Sequence, residues 1–345
     1  MVGIFKANNP FNPFILFVYG IILKVGWFLQ PMYPVALKSD DFLFREFLIK
    51  FQALGSAMPA IYPIMAYLLI FTQAVTFNKL VNDSRLMQRP NYLPAMSYLL
   101  ITSLFPEWNV LSAALIINTL LIWAWARMIN LYGSPAPKTT LLNIGFLIGI
   151  CTFFYFPSLI FAALLFFSLM IMRPFTLQEW IISLLGILTP WYFLLSYLYL
   201  TGKLHGYHLP QFAVTTTIFH QSHWTMAAVV IVIVGFLMGS YYIKGNLGRQ
   251  VVHVRKSWSV MVVYLIVAAF VPFINATHTL QDWILTAVPL SAFIGGAFLY
   301  SPKRWVTFSL HWVMVAFVII ISYVVPPSSG KYYEHTAAQS HHVIP

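Results

Sequence analysis

Acidic side chains are scarce in this chain. Eight Asp and Glu stand against nineteen Lys and Arg, and charged residues of both signs make up 8% of its 345 positions. A water-soluble domain carries about 25% charged residues, so an ordinary solvated fold is excluded. Cysteine is nearly missing too. The single Cys151 lies in an apolar run, which rules out a disulfide framework and a cysteine-based metal site. Neither a G-x-x-x-x-G-K-[ST] phosphate loop nor a G-x-S-x-G elbow occurs, so ATP hydrolysis and serine hydrolysis lack their motifs. What the chain holds instead is 60% hydrophobic and 17% aromatic residues, with a mean hydropathy of +0.80. That much Phe, Leu and Ile excludes a disordered chain. The fold class is therefore all-α: a polytopic transmembrane helical bundle.

A helix needs about 20 apolar residues to cross a bilayer core. Apolar runs place spans at roughly 13–30, 57–78, 91–106, 110–130, 140–156, 157–173, 178–200, 223–243, 258–275, 282–300 and 305–325, about eleven in all. The run from 140 to 173 is interrupted at Phe156-Pro157-Ser158, where a missing backbone donor forces a kink or a turn. Charge decides for a turn. With a cytoplasmic N-terminus, inner segments hold Lys6, Lys79, Arg85, Arg89, Arg127, Lys138, Arg173, Lys244, Arg249, Arg255, Lys256, Lys303 and Arg304. Outer segments hold Lys38, Arg45, Lys50, Lys203 and Lys331, and Lys24 falls inside the first span. Cytoplasmic loops collect Lys and Arg, so the N-terminus is expected inside and the C-terminus outside. The basic excess then orients the chain and contacts anionic lipid; no nucleic-acid partner is implied.

The chain divides into one transmembrane domain, 1–325, and a polar tail, 326–345, expected to be mobile and periplasmic. Within the first outer loop, 31–56, Phe44, Phe47, Leu48 and Phe51 recur at helical spacing, with Asp41, Arg45 and Lys50 polar. This predicts an interfacial amphipathic helix around 40–54, capped by Ser39 or Asp40. Asp40 and Asp41 are the leading candidate site. Two carboxylates on an outer loop suit a general base or a divalent cation, but they also suit a helix cap. His205, His208, His220 and His223 sit in and beside loop 201–222 at one-turn spacing, without a carboxylate or cysteine to complete a metal set. Glu107 either faces an outer cavity or, with Asn109, caps the following helix; Asp282 reads as a helix start at an outer turn, and His311 lies within the last span. The Lys244–Lys256 cluster with Trp258 has the makings of a headgroup contact. Gly145-x-x-x-Gly149, Gly235-x-x-x-Gly239 and Gly295-Gly296 read as sites of close helix approach.

Arg89-Pro90-Asn91-Tyr92-Leu93-Pro94, Leu104-Phe105-Pro106, Phe154-Tyr155-Phe156-Pro157-Ser158, Arg173-Pro174-Phe175 and Gly186 to Pro190, continuing through Pro289-Leu290-Ser291 to Trp312, carry a resemblance. On these motifs the chain resembles an uncharacterised family of multi-pass inner-membrane proteins from Bacteroidota. In architecture it is more distantly similar to the GT-C class of polyprenyl-phosphate-sugar glycosyltransferases, although it has no large outer domain. That likeness implies envelope biogenesis, with a sugar transferred from a polyprenyl-phosphate donor. Asp40 or Asp41 would be base or ligand to a divalent cation, and Arg45 or Lys50 would lie near the phosphate. The alternatives are a non-catalytic subunit with partners in a secretion or envelope complex and, third, a transporter.

Overall fold

The computed structural model describes residues 1–29, 31–37, 39–204, 207, 223–274 and 280–323. Among them are thirteen α-helices and no strand. They are α1 (Val2–Lys6), α2 (Asn12–Leu29), α3 (Phe42–Ala57), α4 (Ile61–Asp83), α5 (Leu93–Ser103), α6 (Ala113–Ile129) and α7 (Pro137–Phe154). The remainder are α8 (Phe161–Met172), α9 (Leu177–Leu200), α10 (His223–Leu247), α11 (Val252–Ile274), α12 (Ala287–Tyr300) and α13 (Arg304–Tyr323). Eight helical segments are long and apolar enough to cross a membrane, and three shorter apolar ones span 93–103, 113–129 and 156–172. This is the build of a multi-pass helical membrane protein.

The apolar runs correspond one for one to helices, but several are shorter than the sequence suggests. α5 has 11 residues, about 17 Å at 1.5 Å per residue, against a bilayer core of about 30 Å. Prolines account for two of the changes in winding. Pro106 and Pro157 lie in the first turn of the 3-10 segments Pro106–Asn109 and Phe156–Ile160, where a missing N–H costs least. The predicted span 282–300 likewise begins as a 3-10 segment, Leu280–Thr286, before α12. The expected turn at 156–158 is present, and α7 and α8 pack together as its two arms.

α5 is buried at every residue and packs on α12, α4 and α2, so these short helices lie at the centre. α9, α10 and α13 leave most of their surface outward, as helices facing lipid do. α7 and α9 pack closely along their length. A Cβ at Gly145 would lie 2.7 Å from the Ser183 carbonyl oxygen, and one at Gly186 2.6 Å from that of Leu142. Only glycine permits that approach.

Polar bonds tie the loops of each end together. At one end Gln88 meets Tyr300 and Asn246, Trp258 Nε1 donates to the Leu86 carbonyl at 3.1 Å, and Arg173 reaches the carbonyls of Leu131 and Ser134. Arg173 and Lys256, two of the cations assigned to inner segments, lie here beside residues 131–134, at the basic end. The opposite end carries residues 39–41, α3 and the three 3-10 segments. In the middle, Gln73, Tyr98, Asn118 and Tyr264 form a buried chain. Tyr98 Oη donates to Gln73 Oε1 at 2.6 Å, and Asn118 Nδ2 donates to Tyr98 Oη at 2.9 Å. Polar groups buried in a membrane bundle need such internal partners.

Candidate functional site

The Asp40 end is assembled by backbone. The amide of Asp41 donates to the Phe154 carbonyl at 3.1 Å, and the amide of Phe156 donates to the Ser39 carbonyl at 3.2 Å. These two bonds form an antiparallel bridge between Asp40 and Tyr155, pinning the loop onto the α7–α8 turn. On the neighbouring side, Trp108 Nε1 donates to the Leu280 carbonyl at 2.8 Å and joins the 106–109 and 280–286 segments. Asp282 is carried on the latter, buried, near enough to act on the charge of Asp40.

Asp40 is 3% exposed, far from the open loop position its sequence suggests. Its Oδ2 accepts from the Leu37 amide at 2.7 Å, while its carbonyl accepts from Arg45 Nε at 3.1 Å. Arg45 Nη2 also reaches the Leu37 carbonyl at 3.3 Å, so the guanidinium braces this turn. Burial pushes the Asp40 carboxyl well above the usual carboxylate range. The Leu37 bond opposes this, Asp282 adds to it, and Arg45 opposes it.

Asp41 is the cap of α3, with Oδ1 accepting from the Phe42 amide at 2.7 Å. This corrects the expectation that Ser39 or Asp40 would cap. The Asp40 side chain turns back to Leu37, which leaves the following residue to receive the first helical amide. Tyr207 Oη donates to Asp41 at 3.1 Å. Burial raises the Asp41 carboxyl, against the bonds from Phe42 and Tyr207 and the Arg45 charge. Burial and the same carboxylate raise the Tyr207 phenol, so it stays protonated as a donor.

The other candidates separate. α3 spans 42–57 and buries Phe44, with Phe47 stacked on Phe51 at 4.5 Å, which is the apolar face its spacing predicts. Lys50 is exposed farther along this helix, and unlike Arg45 it makes no hydrogen bond or ion pair among the described residues. Glu107 Oε2 is buried without a hydrogen-bond partner among the described residues, and burial raises its carboxyl. Neither Glu107 nor Asn109 caps α6; Ser112 does, accepting from Leu115. His311 pairs with Tyr19 at 3.1 Å inside the bundle. His205, His208, His220 and the tail lie outside the described residues.

Lys24 is the buried group that sequence pattern left unread. Its ammonium donates to Thr102 Oγ1 at 3.2 Å and to Asn109 Oδ1, joining α2, α5 and the 106–109 segment. A lysine inside an apolar span signals this kind of polar anchorage, but its partners were not visible in the order of residues. Among the described residues no three His, Cys, Asp or Glu side chains converge on one point.

No protein-family model, curated protein or solved structure matches the chain.

Proposed function

We propose that the protein is a GT-C-like inner-membrane enzyme of envelope biogenesis, transferring a sugar from a polyprenyl-phosphate donor, with Asp40 as general base. The observation carrying this reading is the burial of Asp40, just before α3, within electrostatic reach of the buried Asp282. A carboxyl held above its ordinary range is a stronger base than an exposed one, and base catalysis improves as the pKa nears the working pH. Asp40 would take the proton of the acceptor hydroxyl as its oxygen bonds to the sugar. The bond from sugar to phosphate breaks, and polyprenyl phosphate leaves with the electron pair. Arg45 lies beside the base and suits the departing phosphate. Lys50 lies farther along α3 and is a weaker candidate for that contact. With the basic end in the cytoplasm, this chemistry faces the periplasm.

The test uses the full chain extracted in native lipid. Mass spectrometry should find polyprenyl phosphate among the retained lipids. Sugar release from a polyprenyl-phosphate donor should fall about a hundredfold or more in Asp40→Asn. Correctly inserted Asp40→Asn protein with parental turnover, or parental protein with no such lipid and no turnover, would sink the reading.

A second reading, a non-catalytic subunit of a secretion or envelope complex, draws support from Asp41. Its oxygens serve a helix cap and a tyrosine contact, which is structural work. Stoichiometric partners retained through purification would favour it.

A further inference from the structure

The basic end contains a second site. A cavity of about 610 Å³ opens between the ends of α4 and α6 and the start of α7. Val75, Leu80, Ala126 and Trp123 supply its apolar lining, the last 53% exposed. Lys79, Arg127, Asn130 and Asp83 supply its polar lining.

Lys79 and Arg127 are both exposed, and among the described residues neither forms an ion pair or a side-chain hydrogen bond. Two other cations of this end are engaged: Arg173 pairs with Glu179 at 3.0 Å, and Lys256 lies 4.8 Å above the Tyr132 ring. Two cations against the one carboxylate of Asp83 leave a single net positive charge. That balance opposes one phosphodiester. Positions near helix C-termini already favour cations, but the helix dipole gives no reason for an apolar lining with an exposed indole in the same cavity. A free phosphate would have no use for that lining either, whereas a lipid uses both.

We propose that this groove binds an anionic phospholipid. Its phosphodiester lies between Lys79 and Arg127, and its acyl chains run along Trp123 and Leu80. Basic recesses between helices at the cytoplasmic surface are suited to such headgroups. The site is independent of the chemistry at Asp40.

The full chain in neutral detergent is titrated with phosphatidylglycerol and with phosphatidylcholine, and bound lipid is counted by native mass spectrometry. Phosphatidylglycerol should bind more tightly. Lys79→Gln with Arg127→Gln should weaken it about thirtyfold at low salt, the loss expected for two cations near a surface. Lys244→Gln with Arg249→Gln, at the same end but outside the groove, should leave it unchanged. Asp83→Asn should tighten binding, a gain that misfolding does not imitate. Equal binding of the two lipids would overturn the site. So would an unaffected Lys79/Arg127 variant, an equal loss in the control pair, no gain in Asp83→Asn, or displacement by glycerol phosphate without tails.

Discussion

Burial, and with it the charge of Asp282, raises the proton affinity of Asp40, although the two residues lie near opposite ends of the chain. They act on each other because residues 39–41 and the 280–286 segment are brought to the same end of the bundle. Two carboxylates placed together in a dry site cannot both ionise without cost.

Stability should therefore vary with pH through Asp40. Its folded pKa exceeds the unfolded value, so the folded state binds more protons between the two. Stability from this group is present below the ordinary carboxylate range and is lost as pH rises through the raised folded pKa. Asp40→Asn removes that loss and keeps an oxygen for the Leu37 amide. Thermal unfolding followed from acid to neutral pH should decline less in Asp40→Asn than in the parent. Parallel curves would refute the proton linkage.

Substitution at the α7–α9 contact should be costly. Gly145→Val would drive a side chain into the Ser183 carbonyl and Gly186, and overpacking of this kind costs about 1–3 kcal/mol. Gly245→Ala meets no atom within 4 Å and should be neutral or slightly stabilising. Midpoints of thermal unfolding in detergent compare the two. A Gly145→Val midpoint at or above the parent's would show that the helices can separate freely.

Arg173 holds Glu179 with Nε and Nη2 while Nη1 reaches two loop carbonyls. Arg173→Gln leaves a largely buried carboxylate without its partner and should cost about 3–5 kcal/mol. Arg173→Lys restores the charge but not the planar fork, so it should recover part of the loss. Full recovery by lysine would show that charge alone matters.

Orientation can be read by labelling, because Cys151 is 1% exposed and silent to aqueous reagents. In intact cells Ser56→Cys, at the end of α3, should react with a membrane-impermeant maleimide. Thr139→Cys, at the start of α7, should react after lysis alone. The reverse pattern would place the basic end outside.

Much of the helical plan was legible because each apolar run must become a helix when the backbone has no water to bond. The turn at Phe156-Pro157-Ser158 and the close approach at Gly145 were readable for local reasons, a missing donor and a missing side chain. The site was less so. The cap moved by one residue because Asp40 bonds backward to Leu37, a choice that composition does not reveal. Asp282 does begin a helical segment, as its position suggests, but neither its nearness to Asp40 nor the anchorage of Lys24 was readable, because their neighbours come from remote segments. Pattern within one helix reports its faces, but not which loop will lie against it.

Both bonds of the bridge between Ser39–Asp41 and Phe154–Phe156 join main-chain atoms. Exchanging Asp40 for asparagine, a residue of the same size that keeps an oxygen for the Leu37 amide, therefore leaves the seat itself in place. Acidity at this spot can thus be removed without unpinning the loop from the bundle.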